Sequence, residues 1–494
     1  MSEVKTGIIL SYLTIVVVNV AGLISTPIIV RALGAEQYGL YLVLGSLIAY
    51  IALLDLGMTS TITRFVAKYK AQNDIETEQK FFSIIFRVIS FIILMMLGLG
   101  GILYLNLDTL IQTEILKDNL NIVFALFLFT SIINLITGFL NGYLTAYEKF
   151  IFLKTVNLVK CLLRLGIILA LFIQIGSIFF LVLIDFVLAL AVLLCSLFYF
   201  FKVYPHRFNL SYYDSKFLKE LYKYAFWVFV LGLISQIQWQ TGQILIGYKI
   251  DNTAVAIYGL GILLGTYYGA FSTAVSGVFI ARTTYKVYQN NSMQELTEYM
   301  VKIGRISAIV LMLILVNFVL IGQNFIRLWV GDDYQQAWFV ALLIMIVYTV
   351  PLLQAIANQV LDAKKLFKFK AKIYLVFLSL GLLLGYFLID YYSVYGMIIG
   401  IAAGWIISLI IMTTYYHNFL KLDMVYFFKK LINIFKVSLI TVVIGYFIAE
   451  NVNGDSWLIF ACKAALISML YFALMYKWGI SNEERVFVQR IRGR

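Results

Sequence analysis

Asn141-Gly-Tyr-Leu144-Thr-Ala146-Tyr-Glu-Lys-Phe150-Ile-Phe152 returns 217 residues later as Asn358-Gln-Val-Leu361-Asp-Ala363-Lys-Lys-Leu-Phe367-Lys-Phe369, with five of twelve positions identical. The same offset relates Tyr41 to Tyr258 and Tyr50 to Tyr267. One offset shared by separate regions reads as an internal duplication. Around both copies the chain is almost continuously apolar. It is 62% hydrophobic and only 13% charged, with 3 Pro in 494 residues, where a soluble domain carries about 25% charged residues.

The apolar stretches fall at 7–33, 38–62, 82–107, 120–146, 151–175, 177–201, 220–248, 252–281, 301–323, 338–361, 371–390, 393–416, 430–449 and 456–478. Each is long enough to cross a hydrocarbon core of about 30 Å as a helix. The expected fold is therefore an all-α membrane protein of about 14 spans. The first span is too long, and too poor in a small-residue cleavage site, for a removed signal peptide. The duplication carries spans 1–6 onto spans 7–12. Six is even, so both copies enter from one side, as a parallel repeat about an axis along the membrane normal with the substrate site between the halves. The expected organisation is an N-lobe at 1–203, a basic linker at 204–219, a C-lobe at 220–417, and spans 13 and 14 with a basic tail at 418–494.

Charge fixes the orientation. With the N-terminus inside, inside loops and tails hold 31 Lys+Arg and 13 Asp+Glu, against 4 and 10 outside. That asymmetry is the positive-inside pattern, and it places both termini in the cytoplasm. It also accounts for the net charge of +13 as an orientation signal with attraction to anionic lipid head groups, so no nucleic-acid partner is needed. Cys161, Cys195 and Cys462 lie within apolar spans and read as small core residues. Neither a metal-ligand spacing nor a phosphate-binding loop is present, so no metal, cofactor or ATP hydrolysis is expected. The short outer loops leave little room for a catalytic apparatus, and the chain reads as a transporter rather than an enzyme.

Ionisable groups inside a bilayer are costly and usually face a cavity or a partner. In span 5, Asn157, Lys160 and Arg164 share one helix face. One reading is a cationic stripe facing a water-filled cavity; the other is a structural pair, with Arg164 bound to Asp55, Asp185 or free carbonyls. Gln236, Gln240 and Gln243 in span 7, and Asn19, Gly22 and Thr26 in span 1, form polar stripes that either line a cavity or bond helix to helix. Asp55 in span 2 and Asp185 in span 6 are candidates for proton or cation coupling, or for ion pairing; Asp55 is expected to pair with Arg64 or Arg31. Pro27 and Pro351 each remove a backbone hydrogen bond and favour a kink, static or gating. Arg64 and Arg282 stand at the inner ends of spans 2 and 8, as topology anchors or as cations at a cavity mouth.

Thr26-Pro-Ile-Ile-Val-Arg-Ala-Leu-Gly-Ala-Glu-Gln-Tyr-Gly-Leu-Tyr41, Leu54-Asp-Leu-Gly-Met58 and Arg64-Phe-Val-Ala-Lys-Tyr69 resemble the opening of polysaccharide-repeat-unit (O-antigen, Wzx-type) flippases of the multidrug/oligosaccharidyl-lipid/polysaccharide exporter superfamily. Trp239-Gln-Thr-Gly-Gln-Ile-Leu-Ile-Gly247, Val255-Ala-Ile-Tyr258 and Ile326-Arg-Leu-Trp-Val-Gly331 resemble its second lobe. The resemblance runs over about 1–415. It implies two six-helix bundles around a cationic cavity, a bacterial plasma-membrane location, and an undecaprenyl-pyrophosphate-linked oligosaccharide as substrate, with a polysaccharide polymerase acting on the product. On that reading Lys160 and Arg164 hold the pyrophosphate or an acidic sugar, and Arg31, Arg64 and Arg282 assist at the mouths. A cation-coupled multidrug exporter of the same superfamily and a lipid II-type flippase are the alternatives.

Overall fold

A computed structural model describes residues 3–111, 119–204, 215–289, 292–364, 366–452, 454–481 and 484. Among them there is helix and turn but no strand. The chain divides into two compact units, Met1–Ala256 and Ile257–Arg494. Eleven described helices are long and apolar enough to cross a membrane, or twelve with one bent pair. The first of these stretches, Leu13–Ala71, is itself interrupted at Gly34. Large apolar side chains stand on the outer surfaces of both units: Leu94, Leu105, Phe198, Leu439 and Leu458 are 66, 82, 77, 67 and 73% exposed. Water would penalise such a belt, whereas lipid does not.

Unit 1 begins with α1 (Glu3–Ala52), which Gly34 divides into two arms through φ 73, ψ 171. Those angles suit glycine and disfavour any residue with a Cβ. Pro27 sits within α1, and the non-helical residue is Gly34. A 3-10 turn at Leu53–Asp55 then meets Leu56 and Gly57, both left-handed. There α2 (Met58–Ala71) starts, with no side-chain cap. Asp55, at the helix break, carries no ion pair with Arg31 or Arg64. The unit continues with α3 (Ile75–Leu105), α4 (Leu120–Ala146), α5 (Phe150–Ile167, prolonged by a π-turn at Ile168–Phe172), α6 (Ile178–Val203), α7 (Ser215–Trp239) and α8 (Thr241–Lys249). Its main contacts pair α4 with α6, α1 with α5 and α2 with α4.

Unit 2 contains most of α9 (Asn252–Tyr288), then α10 (Met293–Trp329), α11 (Ala337–Leu353), α12 (Ala355–Ala363), α13 (Phe367–Tyr392), α14 (Val394–Asn418), α15 (Met424–Asn451) and α16 (Trp457–Leu474). Helices α11 and α12 meet at 51°. The break falls at Gln354, three residues beyond Pro351. Small residues set two close packings. Gly261, Gly265 and Gly269 on α9 receive Val340, Ile344 and Tyr348 of α11. Between α13 and α14, Gly381 and Gly385 face Gly400 and Gly404, and Gly396 faces Leu388, so closely that backbones touch. Membrane helices associate through such packing because lipid supplies no hydrophobic drive.

The repeat mates Phe152 and Phe369 each stack on a tyrosine of the following helix. Phe152 on α5 stacks on Tyr199 of α6 with ring centroids 4.0 Å apart, and Phe369 on α13 stacks on Tyr415 of α14 at 4.2 Å, one residue short of the Tyr416 that the offset pairs with Tyr199. Another matched pair of the repeat has diverged. Asn358 Oδ1 accepts from Lys370 Nζ and the Tyr416 hydroxyl, both at 2.8 Å, while Asn141 Oδ1 is buried with no hydrogen bond. Cys195 and Cys462 are exposed and Cys161 only half-buried, so the cysteines are not the core residues their apolar context suggests.

Arg305 on α10 ties the end of the described chain to the unit. Its Nε and Nη2 donate to the two Glu484 oxygens at 2.8 Å each, Nη1 to the Lys430 carbonyl at 2.5 Å and Nη2 to the Gly479 carbonyl at 2.8 Å. A charge this deeply buried, 8% exposed, persists because every edge of the guanidinium is bonded.

Candidate functional site

Four helices of unit 1 line an open cavity of about 320 Å³. From α4 come Phe127, Thr130, Ser131 and Asn134, at i, i+3, i+4 and i+7, which is one helical face. From the second arm of α1 come Gly45 and Ala49, which are small enough to leave the space open, and Ile48; α5 contributes Lys160, and α6 contributes Val182 and Asp185. The cavity is thus apolar on the α1 side and mixed on the others, where Phe127 and Val182 stand beside Thr130, Ser131, Asn134, Lys160 and Asp185.

Arg164 lies one turn beyond Lys160 and is committed to Asp185. Its Nε donates to Oδ1 at 2.6 Å and its Nη2 to Oδ2 at 3.0 Å. This bidentate pair is the strong form of the interaction, and both side chains are about three-quarters buried, 28% and 25% exposed. The π-turn at Ile168–Phe172 follows directly, with Ile168 and Phe172 fully buried. It anchors α5 just past the charged face. Of the two sequence readings for Arg164, the ion pair with Asp185 is the one the geometry realises.

Lys160 has no ion pair or hydrogen bond in the described structure. Its ammonium lies in the field of both Asp185 and Arg164. Asn134 and Ser131 likewise make no hydrogen bond there, and Thr130 spends its proton on the Leu126 carbonyl at 2.7 Å. One cation, one amide and one hydroxyl are therefore available to a ligand, beside a carboxylate whose charge Arg164 balances. Sequence reasoning found Lys160, Arg164 and Asp185 and missed Phe127, Ser131 and Asn134. Their i, i+4, i+7 stripe was the available signal, of the same kind that singled out span 7.

The other candidates fall elsewhere. Asn157 Nδ2 donates to Leu153 O, Asn19 Nδ2 to Ile15 O and the Thr26 hydroxyl to Gly22 O, each back onto its own helix. The three glutamines clasp the second arm of α1. Ser46 Oγ lies 2.9 Å from Gln240 Oε1 and 3.0 Å from Gln243 Oε1; Gln236 Nε2 donates to Ala49 O at 3.2 Å, and Tyr50 bonds Thr241. One hydroxyl proton cannot serve both glutamines. With the Gln240 amide turned over, its nitrogen donates to the serine oxygen and both contacts are met. These residues bond helix to helix rather than lining the cavity. Arg31 and Arg64 are exposed and engaged with neighbours, and the Arg282 side chain lies outside the described residues.

Three kinds of comparison place this geometry. The model of a family described as polysaccharide biosynthesis protein matches residues 4–277. No curated protein sequence matches. Among solved structures, the lipid II flippase MurJ in an inward closed conformation is similar with a TM-score of 0.73 at 15% identity, over 95% of this chain and 99% of that one. The MATE multidrug transporter DinF-BH is similar with a TM-score of 0.56 at 16% identity, over 84% and 95%. An inward-facing multidrug resistance MATE family transporter of the MOP superfamily gives 0.54 at 14% identity, over 85% and 99%. At such identities the likeness is one of fold, and it is the fold of multi-pass membrane transporters. With the family model matched over more than half its length, the chain belongs to the polysaccharide biosynthesis protein family.

Proposed function

We propose that this protein is a flippase that turns undecaprenyl-pyrophosphate-linked oligosaccharide units from the inner to the outer leaflet of the bacterial plasma membrane by alternating access, for cell-surface polysaccharide synthesis. The observation that carries this reading is the unit 1 cavity: a partly polar, ligand-sized space among membrane helices with one unpaired ammonium, Lys160, in a chain of the polysaccharide family. A ligand of hydroxyls and negative charge suits it. The charge asymmetry of the loops supports cytoplasmic termini.

In this reading Lys160 meets the substrate and Arg164 balances Asp185. Arg31, Arg64 and Arg282 attract its anionic portion at the mouths, and Asp185 and Asp55 are the groups through which a proton or cation could be coupled. The MurJ-like fold supports a lipid-linked substrate, and a polymerase consuming the flipped unit is the partner to seek. A multidrug exporter is the second reading, favoured by the MATE-like folds. Against it, Lys160, Arg164 and Asp185 leave the cavity with an excess positive charge, which repels cationic drugs. Proteoliposomes loaded with lipid-linked oligosaccharide test the proposal, with an impermeant glycan-modifying enzyme reading exposure on the opposite face. Protein-dependent exposure supports it; dye export without glycan exposure replaces it with the exporter.

A further inference from the structure

We propose that the unit 1 cavity is a subsite for one sugar ring of the transported unit, read by Lys160, Asn134 and Ser131 against the ring of Phe127, and that it is not where the pyrophosphate binds. This rests on the flippase reading and specifies which part of the substrate the cavity holds.

The chemistry of the wall separates the two ligands. A diphosphate is acceptor-only and carries several negative charges, so it calls for several N–H donors or an arginine fork. Arg164 does not supply it: the Nε–Nη2 edge of its guanidinium is on Asp185, and Arg164 is not part of the cavity wall. What remains in the wall is one ammonium, one amide and one hydroxyl, which is too few N–H donors for a diphosphate. A sugar hydroxyl both donates and accepts. It can accept from Lys160 Nζ, exchange two bonds with the Asn134 amide, and donate to Ser131, Thr130 or the lone pairs of Asp185 that Arg164 leaves unused. Phe127, Ile48 and Val182 supply apolar wall for the C–H face of the ring. The volume of about 320 Å³ is at the small end of ligand pockets, which run from about 300 to 1,000 Å³, and suits a single ring. Arg164 is then a positioning residue, holding Asp185 in register with Lys160 without touching the substrate.

The test uses a full-length variant in which Cys161, Cys195 and Cys462 are alanine and Ala49, a wall residue that makes none of the proposed contacts, is cysteine, reconstituted in liposomes. Gly45→Cys, where a Cβ meets nothing within 4 Å, serves if Ala49→Cys does not fold. Alkylation of the new thiol by iodoacetamide is timed with three probes. These are the lipid-linked oligosaccharide pool extracted from the producing cells, the lipid diphosphate left after mild acid has cleaved that pool, and the glycan so released. The intact pool and the released glycan should each slow alkylation at least fivefold, and the lipid diphosphate less than twofold. Adding Lys160→Met should abolish the protection by glycan. Equal protection by lipid diphosphate and intact pool overturns the proposal, since the cavity then takes the diphosphate. No protection in liposomes that flip the pool overturns it while leaving the flippase reading standing; no protection and no flipping removes both.

Discussion

Gly400→Ala tests whether the backbone seam between α13 and α14 organises unit 2. A Cβ at position 400 would lie 2.2 Å from Gly385 N, 2.4 Å from Gly385 Cα and 2.6 Å from Gly381 O. All three are backbone atoms, so no side chain can swing aside. Carbon contacts settle at about 3.5–4.0 Å, and the helices must part by more than an ångström. Overpacking costs about 1–3 kcal/mol where side chains can adjust; with only backbone to yield, about 3 kcal/mol is expected. At about 2–4 °C per kcal/mol for a unit of this size, the melting temperature in detergent should fall by about 6–12 °C. Gly98→Ala on α3 is the control, since its Cβ meets nothing within 4 Å and the helix gains about 0.8–1.0 kcal/mol of propensity. Gly98→Ala should melt at or above the parent temperature. A Gly400→Ala protein melting within a degree of the parent would refute the argument, because the seam would then have slack.

Three further outcomes are expected. Arg164→Met should cost about 2 kcal/mol, discounted from the about 3–5 kcal/mol of a fully buried pair because the side chains are a quarter exposed; Arg164→Met with Asp185→Leu should recover most of that in a thermal melt, and failure to recover would remove the pairing. Ser46→Ala should lower stability by about 1 kcal/mol, leaving two glutamine amides without their shared partner; an unchanged melt would show that the clasp adds nothing. Burial alone would raise the Glu484 carboxyl, but the Arg305 guanidinium and the Ser481 N–H outweigh it and hold it below its ordinary 4.5. A group depressed in the folded state stabilises above its unfolded value and loses that contribution as pH falls through the folded one. Parent protein should therefore out-melt Glu484→Gln at pH 6 and converge with it below about pH 4; a constant gap would contradict the linkage.

The membrane fold was legible because hydropathy is set by the solvent, and lipid imposes a long uniform signal on each helix. Span 4 at 120–146 coincides with α4, whereas 301–323 and 430–449 understate Met293–Trp329 and Met424–Asn451. Those helices extend into polar ends capped by Ser292 and Asp423, where hydropathy is silent and capping speaks. The charged half of the cavity was legible too, since charges inside apolar helices stand out. Asn134 and Ser131 were not, because hydroxyls and amides in membrane helices usually bond their own backbone, as Asn19 and Asn157 do. Arg305 could not be told from the orientation charges around it, its partner Glu484 being 179 residues away. The Gly381, Gly385, Gly396, Gly400 and Gly404 spacing was present in the sequence; what it could not show is which helix faces which.

The decisive measurement is crossing itself. Liposomes containing the purified protein and a labelled undecaprenyl-pyrophosphate oligosaccharide should expose the glycan to an impermeant enzyme many-fold faster than protein-free liposomes, and Lys160→Met should reduce that rate about tenfold without altering the melt. Glycan that stays inaccessible with several oligosaccharides and with proton and sodium gradients imposed, from a protein that melts cooperatively, would contradict the flippase assignment.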